Sequence, residues 1–559
     1  RYNSSISTTV TGYSLLPDGT MDPFRTNSLT GRGSMSFVTG SHAFKVGFST
    51  LSGLQHNTSN VNQGLSYVFS NRVPISLTQY ATPNTWDVRV RLNLGLYVQD
   101  QWTTGRLTLS YGVRMDRLDS YVPEQTRPAG WWTPAVNVPQ LNNFPTWTDF
   151  TPRVGGAYDL FGNGKTVIKG AVNKYVNMEL VSIATTANPA ASVAISTNRT
   201  WNDQTYAEGD PRRGNYVPDC DLRSPDANGE CGAFSNRAFG TVVQNTRLDP
   251  AITTGSGVRP YNWQATASIQ HELRPGLALA VGYFRSWLGN FRVTDNLSVT
   301  PADFDQYCIT SPVDARLPDG GGRQICGLYD IKPTSFGLVN NLQTQASNFG
   351  KQTQIFNGVD IGLSGRFGQG GLLGGGVSTG RTETSNCFAV DAQQTVNADG
   401  SVIPFDFCKV TPPWQAQTQI KLNGAYPLPW YGIQIAATYQ NIPGVPLAAN
   451  YIATNAIVAQ SLGRNLGQCR GAATCNGTVT VANLFGPNTE FGPRVTQLDI
   501  RSSKTMQVGK IKVRANFDVY NITNNNVVLA VNNTYGPNWL NPLNILSPRL
   551  FKFGIQLNY

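Results

Sequence analysis

Apolar and polar residues alternate along much of this chain with a period of two. Leu92, Leu94, Leu96 and Val98 are interleaved with Asn93, Gly95, Tyr97 and Gln99. After Thr103-Thr104-Gly105 the alternation resumes, with Leu107, Leu109, Tyr111, Val113 and Met115 set against Thr108, Ser110, Gly112, Arg114 and Asp116. Successive side chains of a strand point to opposite faces, so this stretch predicts an antiparallel hairpin with one oily face throughout. The other face carries charge and glycine, so it meets water or a polar filler and not a core.

The unit recurs. Gly40-Ser41-His42 separates Gly33–Thr39 from Ala43–Leu51, and Gly162-Asn163-Gly164 separates Val154–Leu160 from Thr166–Tyr175. Arg274-Pro275-Gly276 lies between Trp263–Leu273 and Leu277–Trp287. Gly368-Gln369-Gly370 follows Val359–Phe367 and precedes a Gly-rich strand ending near Thr379. Pro427-Leu428-Pro429 joins Trp414–Tyr426 to Ile433–Tyr439, and Val508-Gly509 joins Leu498–Thr505 to Ile511–Tyr520. Every turn is short and marked by Gly or Pro. An opening strand over Tyr2–Leu15 and a closing strand Phe551–Tyr559 bring the expected number to about sixteen.

The connections between hairpins are long. Roughly 80 residues separate Asn177 from Val258, about 60 separate Asn296 from Phe356, and about 50 separate Ile442 from Leu498, lengths that count against a compact soluble domain. Short turns on one rim and long loops on the other are what an all-β, transmembrane antiparallel β-barrel requires, with the turns periplasmic and the loops extracellular.

Composition agrees. Of 559 residues, 14% are charged and 10% aromatic, against about 25% charged in soluble domains. No run of 18 or more apolar residues is present, which excludes a membrane-spanning helix but not a barrel, whose strands need only about 9–11 residues, half of them polar. Arg1 opens in mid-pattern with no signal peptide behind it. The formal charge of +10 is scattered, with no run of basic residues, so it fits a polar lumen or contact with lipopolysaccharide phosphates and not nucleic acid.

The eight cysteines fall in pairs within successive long connections: Cys220 with Cys231, Cys308 with Cys326, Cys387 with Cys408, and Cys469 with Cys475. Eight cysteines allow 105 pairings, but two per loop favour pairing of neighbours and an oxidising compartment. Structural zinc is disfavoured, because no C-x-x-C occurs and His42, His56 and His271 are scattered. The same scarcity of histidine, with no G-x-S-x-G serine, argues against an enzyme. Asp203, Asp210, Asn215, Asp219 and Asp221 surround Cys220 in the longest loop and form a weak Ca2+ candidate, with Arg212 and Arg213 intruding. Trp201, Tyr206, Tyr216, Tyr535 and Trp539 are exposed loop aromatics that could contact a ligand, and Trp102, Trp287 and Trp430 suit an interfacial girdle; for any single tryptophan, girdle or loop packing is favoured over a ligand contact.

Several segments resemble a known family. Phe551, Phe553, Ile555, Leu557 and Tyr559 alternate to an aromatic C-terminus, which resembles the assembly signal read by the barrel assembly machinery of the outer membrane. Asp518-Val519-Tyr520-Asn521-Ile522-Thr523-Asn524, Leu96-Tyr97-Val98-Gln99-Asp100-Gln101-Trp102 and Pro152-Arg153-Val154-Gly155-Gly156-Ala157-Tyr158-Asp159 resemble strands of TonB-dependent outer-membrane receptors. With Arg549-Leu550-Phe551-Lys552-Phe553-Gly554, the chain looks like their Oar-like branch. The resemblance implies a plugged barrel of about 22 strands in the bacterial outer membrane, energised through the TonB complex. Residues 1–559 then read as the C-terminal portion of the barrel domain, lacking the plug and an N-terminal regulatory-like domain. The expected function is uptake of a large or scarce solute, a peptide, glycan or protein, past lumen charges such as Arg114, Asp116, Asp360, Arg366, Arg514 and Asp518. A passive 16-stranded porin and a structural or adhesive surface barrel are the alternatives.

Overall fold

The computed structural model describes residues 24–392, 395–397 and 399–559, with two short extended pieces at Tyr2–Asn3 and Thr8–Thr9. Fifteen long strands make one antiparallel sheet that curls into a barrel. In chain order they are β1 Phe24–Thr39, β2 His42–Ser59, β3 Asn84–Thr104, β4 Leu107–Tyr121 and β5 Thr146–Asp159. There follow β6 Thr166–Val176, β7 Tyr261–Arg274, β8 Leu277–Gly289, β9 Thr353–Phe367 and β10 Gly371–Ser385. The last are β11 Gln419–Pro427, β12 Ile433–Ile442, β13 Val495–Val508, β14 Ile511–Tyr520 and β15 Leu550–Asn558. Each pairs with the next in sequence, from β1 on β2 through to β14 on β15. Two short strands, Thr254–Ser256 and Lys409–Val410, add to the long-loop rim.

All seven hairpins expected from the alternation are present, but the count of about sixteen is corrected to fifteen. The described pieces of the expected Tyr2–Leu15 strand pair with each other and with the loop strand Leu65–Ser70, not with the barrel wall; the rest of that stretch lies outside the described residues. Trp414–Gln417 is a 3-10 turn and not the start of a strand, and β11 begins only at Gln419. Several strands outrun the membrane: β3 has 21 residues, about twice what a crossing needs, and the surplus carries the loops.

The oily rows face outward. Val98, Val113, Ile361 and Leu422 are all exposed on the outer surface, not packed under a second layer of protein. In water such a belt would be an aggregation hazard, and against hydrocarbon it is the surface that lipid solvates. β1 and β15 are different again. Each has a single ladder among the described residues, and no ladder joins them across the seam. Their apolar side chains are correspondingly barer, with Phe553 at 79% and Ile555 at 75% exposure against 48% for Val98. Among the described residues no helix is long and apolar enough to cross a membrane; crossing is by strands.

The long connections are not irregular. Those between β8 and β9, β10 and β11, β12 and β13, and β14 and β15 fold together around one core that includes Tyr307, Leu328, Val402, Val458, Leu484 and Trp539. Those following β2, β4 and β6 bury smaller clusters around Val88, Leu77 and Ala81. The structure joins Cys220–Cys231, Cys308–Cys326, Cys387–Cys408 and Cys469–Cys475, with Cα–Cα distances of 5.9, 4.2, 4.9 and 5.7 Å. All four sit in these loops.

Candidate functional site

Because the outer rows are fixed by their exposure, the inner wall follows from parity. On β4, Tyr111 and Val113 face out, so Ser110, Gly112, Arg114 and Asp116 face in. On β5, Phe150, Val154 and Tyr158 face out, so Trp147, Asp149, Thr151 and Arg153 face in. The lumen charges expected from the alternation all lie on this face. Arg114 donates to Asp116 at 2.7 Å and to Ser49 Oγ at 3.0 Å. Arg501 chelates Asp518 through Nε and Nη2, Arg514 donates to Gln434 Oε1 at 2.8 Å, and Ser378 donates to Asp360. Gly95 gives Arg114 its berth, since a Cβ there would stand 1.7 Å from the guanidinium.

Two adjoining hollows open on this part of the wall. One, of about 470 Å3, is lined by Lys45, Tyr97, Gln99, Arg114, Arg153 and Asn173. It exists because Gly112, Gly155 and Ala171 add no bulk to the patch. The second, of about 200 Å3 and nearer the loops, shares Arg114 and Arg153 and adds Asn93, Asp116, Glu179 and Arg259. Arg153 stacks over Tyr175 at 5.1 Å and has no carboxylate partner among the described residues.

Above the second hollow the loops clamp the wall. Arg259, from the connection before β7, lies 3.0 Å from the Asp149 carboxylate, and the two side chains are 5% and 1% exposed. Arg292, from the connection after β8, pairs with Glu179 at 2.9 Å. Both guanidiniums lie over the Trp147 ring, at 5.0 and 5.3 Å, and the Trp147 indole donates to Ile252 O at 3.0 Å. Burial draws the Arg259 guanidinium below its ordinary value, with Asp149, Asp116 and Glu179 opposing. Each buried charge has a partner of opposite sign, as such charges require.

This cluster escaped the reading of the sequence. Trp147 and Asp149 are in phase with Thr151 and Arg153, so extending the β5 alternation upstream would have placed them inward. Glu179, Arg259 and Arg292 sit in loops, where no periodicity points to them. A second omission is Asp100, which continues the apolar row of Leu96 and Val98 and therefore faces outward. It tolerates that face near the short turns because His42 Nδ1 lies 2.7 Å and Tyr111 Oη 2.8 Å from its carboxylate, beneath the stacked rings of His42 and Trp102.

Other expected site residues are dispersed. Trp201 and Trp539 are 1% and 2% exposed and form loop cores, the loop packing favoured for them over a ligand contact, because the loops fold into packed bodies; Tyr216 does stay exposed. The acidic loop engages most of its own carboxylates, although the buried Asp203 Oδ1 has no hydrogen-bond partner among the described residues. Asp210 is held by Arg212 and pulled down to about 2. Asp203 accepts from Tyr216 N, Asn215 donates to Asp219, and Asp221 accepts from Arg223 N. Among the described residues no group of three or more His, Cys, Asp or Glu side chains is placed to hold a metal ion. His42 and His56 lie toward opposite ends of β2 and His271 lies on β7, His56 with Asp87 at 2.6 Å and His271 with Thr166 at 2.8 Å.

A lipid-facing apolar belt, a charged inner wall, short turns on one rim and stapled loops on the other define an outer-membrane β-barrel. The chain belongs to the outer membrane beta barrel domain family, whose model matches residues 2–375, and its place is the bacterial outer membrane. Among solved structures it is similar to the outer membrane transporter YddB from Escherichia coli, at 12% identity and a TM-score of 0.50, with 95% of this chain and 54% of that one covered. The ferric preacinetobactin receptor BauA from Acinetobacter baumannii is matched at 12% identity and a TM-score of 0.42, over 95% and 54% of the two chains. The ferric citrate transporter FecA in its unliganded form is matched at 9% and 0.44, over 96% and 55%. At these identities the likeness is one of fold. The chain spans about half the length of the solved structures it matches. No curated protein matches it in sequence.

Proposed function

We propose that this barrel wall belongs to a TonB-dependent active transporter of the Oar-like branch, taking up a large or scarce solute such as a peptide, glycan or protein. The observation that carries the reading is the continuity between the Asp149–Arg259 rim, directly under the stapled loops, and the two inner-wall hollows that share Arg114 and Arg153. Charges of both signs along that route suit a polar, multiply hydrogen-bonding solute better than a greasy one. In the whole protein further strands would complete the wall at the open edges of β1 and β15, and a plug would close the lumen until the TonB complex supplied energy. The barrel assembly machinery would read Phe551 to Tyr559 on β15. No step of this function requires catalysis by the chain.

The test uses the full-length protein. Purified into planar bilayers it should pass no steady ion current, and it should retain the TonB C-terminal domain on an affinity column. Steady conductance with no energising partner would instead favour a passive porin. Adhesion of cells through the loops, with neither conductance nor TonB binding, would favour a structural surface barrel.

A further inference from the structure

A third hollow, of about 510 Å3, lies on the outside of the barrel. Tyr261, Arg285, Trp287, Phe291, Lys351 and Ile355 line it, at the ends of β7, β8 and β9 that feed the long loops. Its outward orientation follows from register. Tyr261 is in phase with Ile269, Arg285 and Trp287 with Tyr283, and Ile355 with Ile361, and Ile269, Tyr283 and Ile361 are all exposed members of the apolar belt. Trp263 and Trp287 stack face to face at 6.1 Å on the same surface. Aromatic pairs of this kind mark the level where hydrocarbon gives way to head groups.

Two cations at this level, Arg285 and Lys351, have no ion-pair partner among the described residues, while Lys174 also feels the Asp149 carboxylate. Among the described residues Arg285 makes no ion pair, and its guanidinium donates only to the neutral Asn357 Oδ1, at 3.1 Å. Lys351 makes none either. Lys174, outward on β6 in phase with the exposed Val172, holds its ammonium 5.0 Å above the Tyr261 ring, beside the hollow. On the neighbouring strand β10 the carboxylate opposite Ile355, Glu383, is already taken by Arg381 at 2.6 Å, as Asp330 is by Arg464 in the loops. A hollow with an aromatic floor, an apolar wall beneath and unpaired cations above is complementary to an amphiphile whose acyl chains run down the belt and whose anionic head lies at the rim. Phosphate is the head group that arginine and lysine meet best at close quarters.

We propose that this hollow is a binding site for the phosphorylated head group of an outer-leaflet lipid of the lipid A type, held by Arg285 and Lys351 with Lys174 alongside, its acyl chains lying against Ile355 and the Trp263–Trp287 pair. The site is on the opposite face of the wall from the solute path and does not depend on it.

The experiment is native mass spectrometry of the full-length protein released from detergent micelles and titrated with bis-phosphorylated lipid A. One lipid should bind tightly. Arg285→Gln with Lys351→Gln should weaken it at least tenfold, and Lys351→Gln alone, in a loop, should weaken it by a smaller measurable factor should the double variant misfold. Arg106→Gln at the opposite rim should leave binding unchanged. Lipid A stripped of both phosphates should bind no better than the double variant binds the intact lipid. Equal binding of the stripped lipid, wild-type affinity in Lys351→Gln and the folded double variant, or displacement by low millimolar inorganic phosphate alone would each overturn the assignment, the last by showing a free-anion site.

Discussion

Arg259 reaches across from a loop to Asp149 on the barrel wall and meets its carboxylate at 3.0 Å, in a place almost closed to solvent, with the Trp147 ring 5.0 Å away. The pair ties the longest connection to β5. Removing one partner leaves a buried charge alone, which typically costs about 3–5 kcal/mol, whereas replacing both by apolar residues of similar volume is often neutral. Arg259→Met should therefore loosen the 177–260 connection, seen as rapid proteolytic cleavage there, and Arg259→Met with Asp149→Leu should recover most of the protection. Equal cleavage in the single and double variants would show that packing on Trp147, not the ion pair, holds the loop.

The two faces of one hairpin should respond oppositely to the same charge. Val98 is on the outer row and Ser110 on the inner one. Val98→Arg should cost about 2–4 kcal/mol near the bilayer midplane. Ser110→Arg, facing polar surroundings, should cost well under that, about 1 kcal/mol or less. Urea-induced unfolding from lipid vesicles measures both.

The Cys308–Cys326 bridge encloses a segment with a sequence separation of 18 and sits against the shared loop core at Tyr307 and Ile309. Cys308→Ser with Cys326→Ser should destabilise that loop by about 3 kcal/mol, a value set by the freedom regained in the unfolded loop. Amide exchange should accelerate across Phe304–Thr310 and Gln324–Ile331 and stay unchanged in the β3–β4 ladder. Acceleration in that ladder would mean that loops and wall unfold together.

Asp391, from the Cys387–Cys408 connection, accepts Asn296 N at 3.1 Å and so fastens one loop to another. Burial pushes its carboxyl up to about 6, Asn296 N opposes this, and the neighbouring Asp295 carboxyl adds to the rise. Between an unfolded value near 3.8 and about 6 the fold binds more protons than the unfolded chain. The burial of Asp391 beside Asp295 therefore costs stability as pH rises through that window, with the cost level above it. Exchange of the Asn296 amide, corrected for its intrinsic pH dependence, should be more protected at about pH 4.5 than at about pH 7, and Asp391→Asn should flatten the difference.

The wall was legible in the sequence because lipid imposes a strict period of two, and a single missed phase would turn a whole row to the wrong face. The hairpins around Gly105, Gly162 and Gly276 follow from that alone, and each of these glycines takes a positive φ, of 57°, 73° and 81°. The loops were less legible, because their cores are assembled from four connections far apart in the chain: Leu328 meets Val458 and Trp539 only after the barrel has brought them together. That is why the packing partners of Trp539 could not be named in advance, and why Arg259 and Arg292, which meet over Trp147, carried no signal. Asp100 was missed for a different reason. A carboxylate in an oily row contradicts the pattern unless its partners His42 and Tyr111, 58 and 11 residues away, are already known.

The most direct measurement is spin-label accessibility along β3 of the full-length protein in lipid bilayers, one label at a time from residue 93 to residue 99. Labels at Leu94, Leu96 and Val98 should collide freely with lipid-dissolved oxygen, and labels at Asn93, Gly95, Tyr97 and Gln99 should not, giving a clean period of two. An absent or inverted alternation would contradict the account, because the apolar row would then be facing something other than lipid.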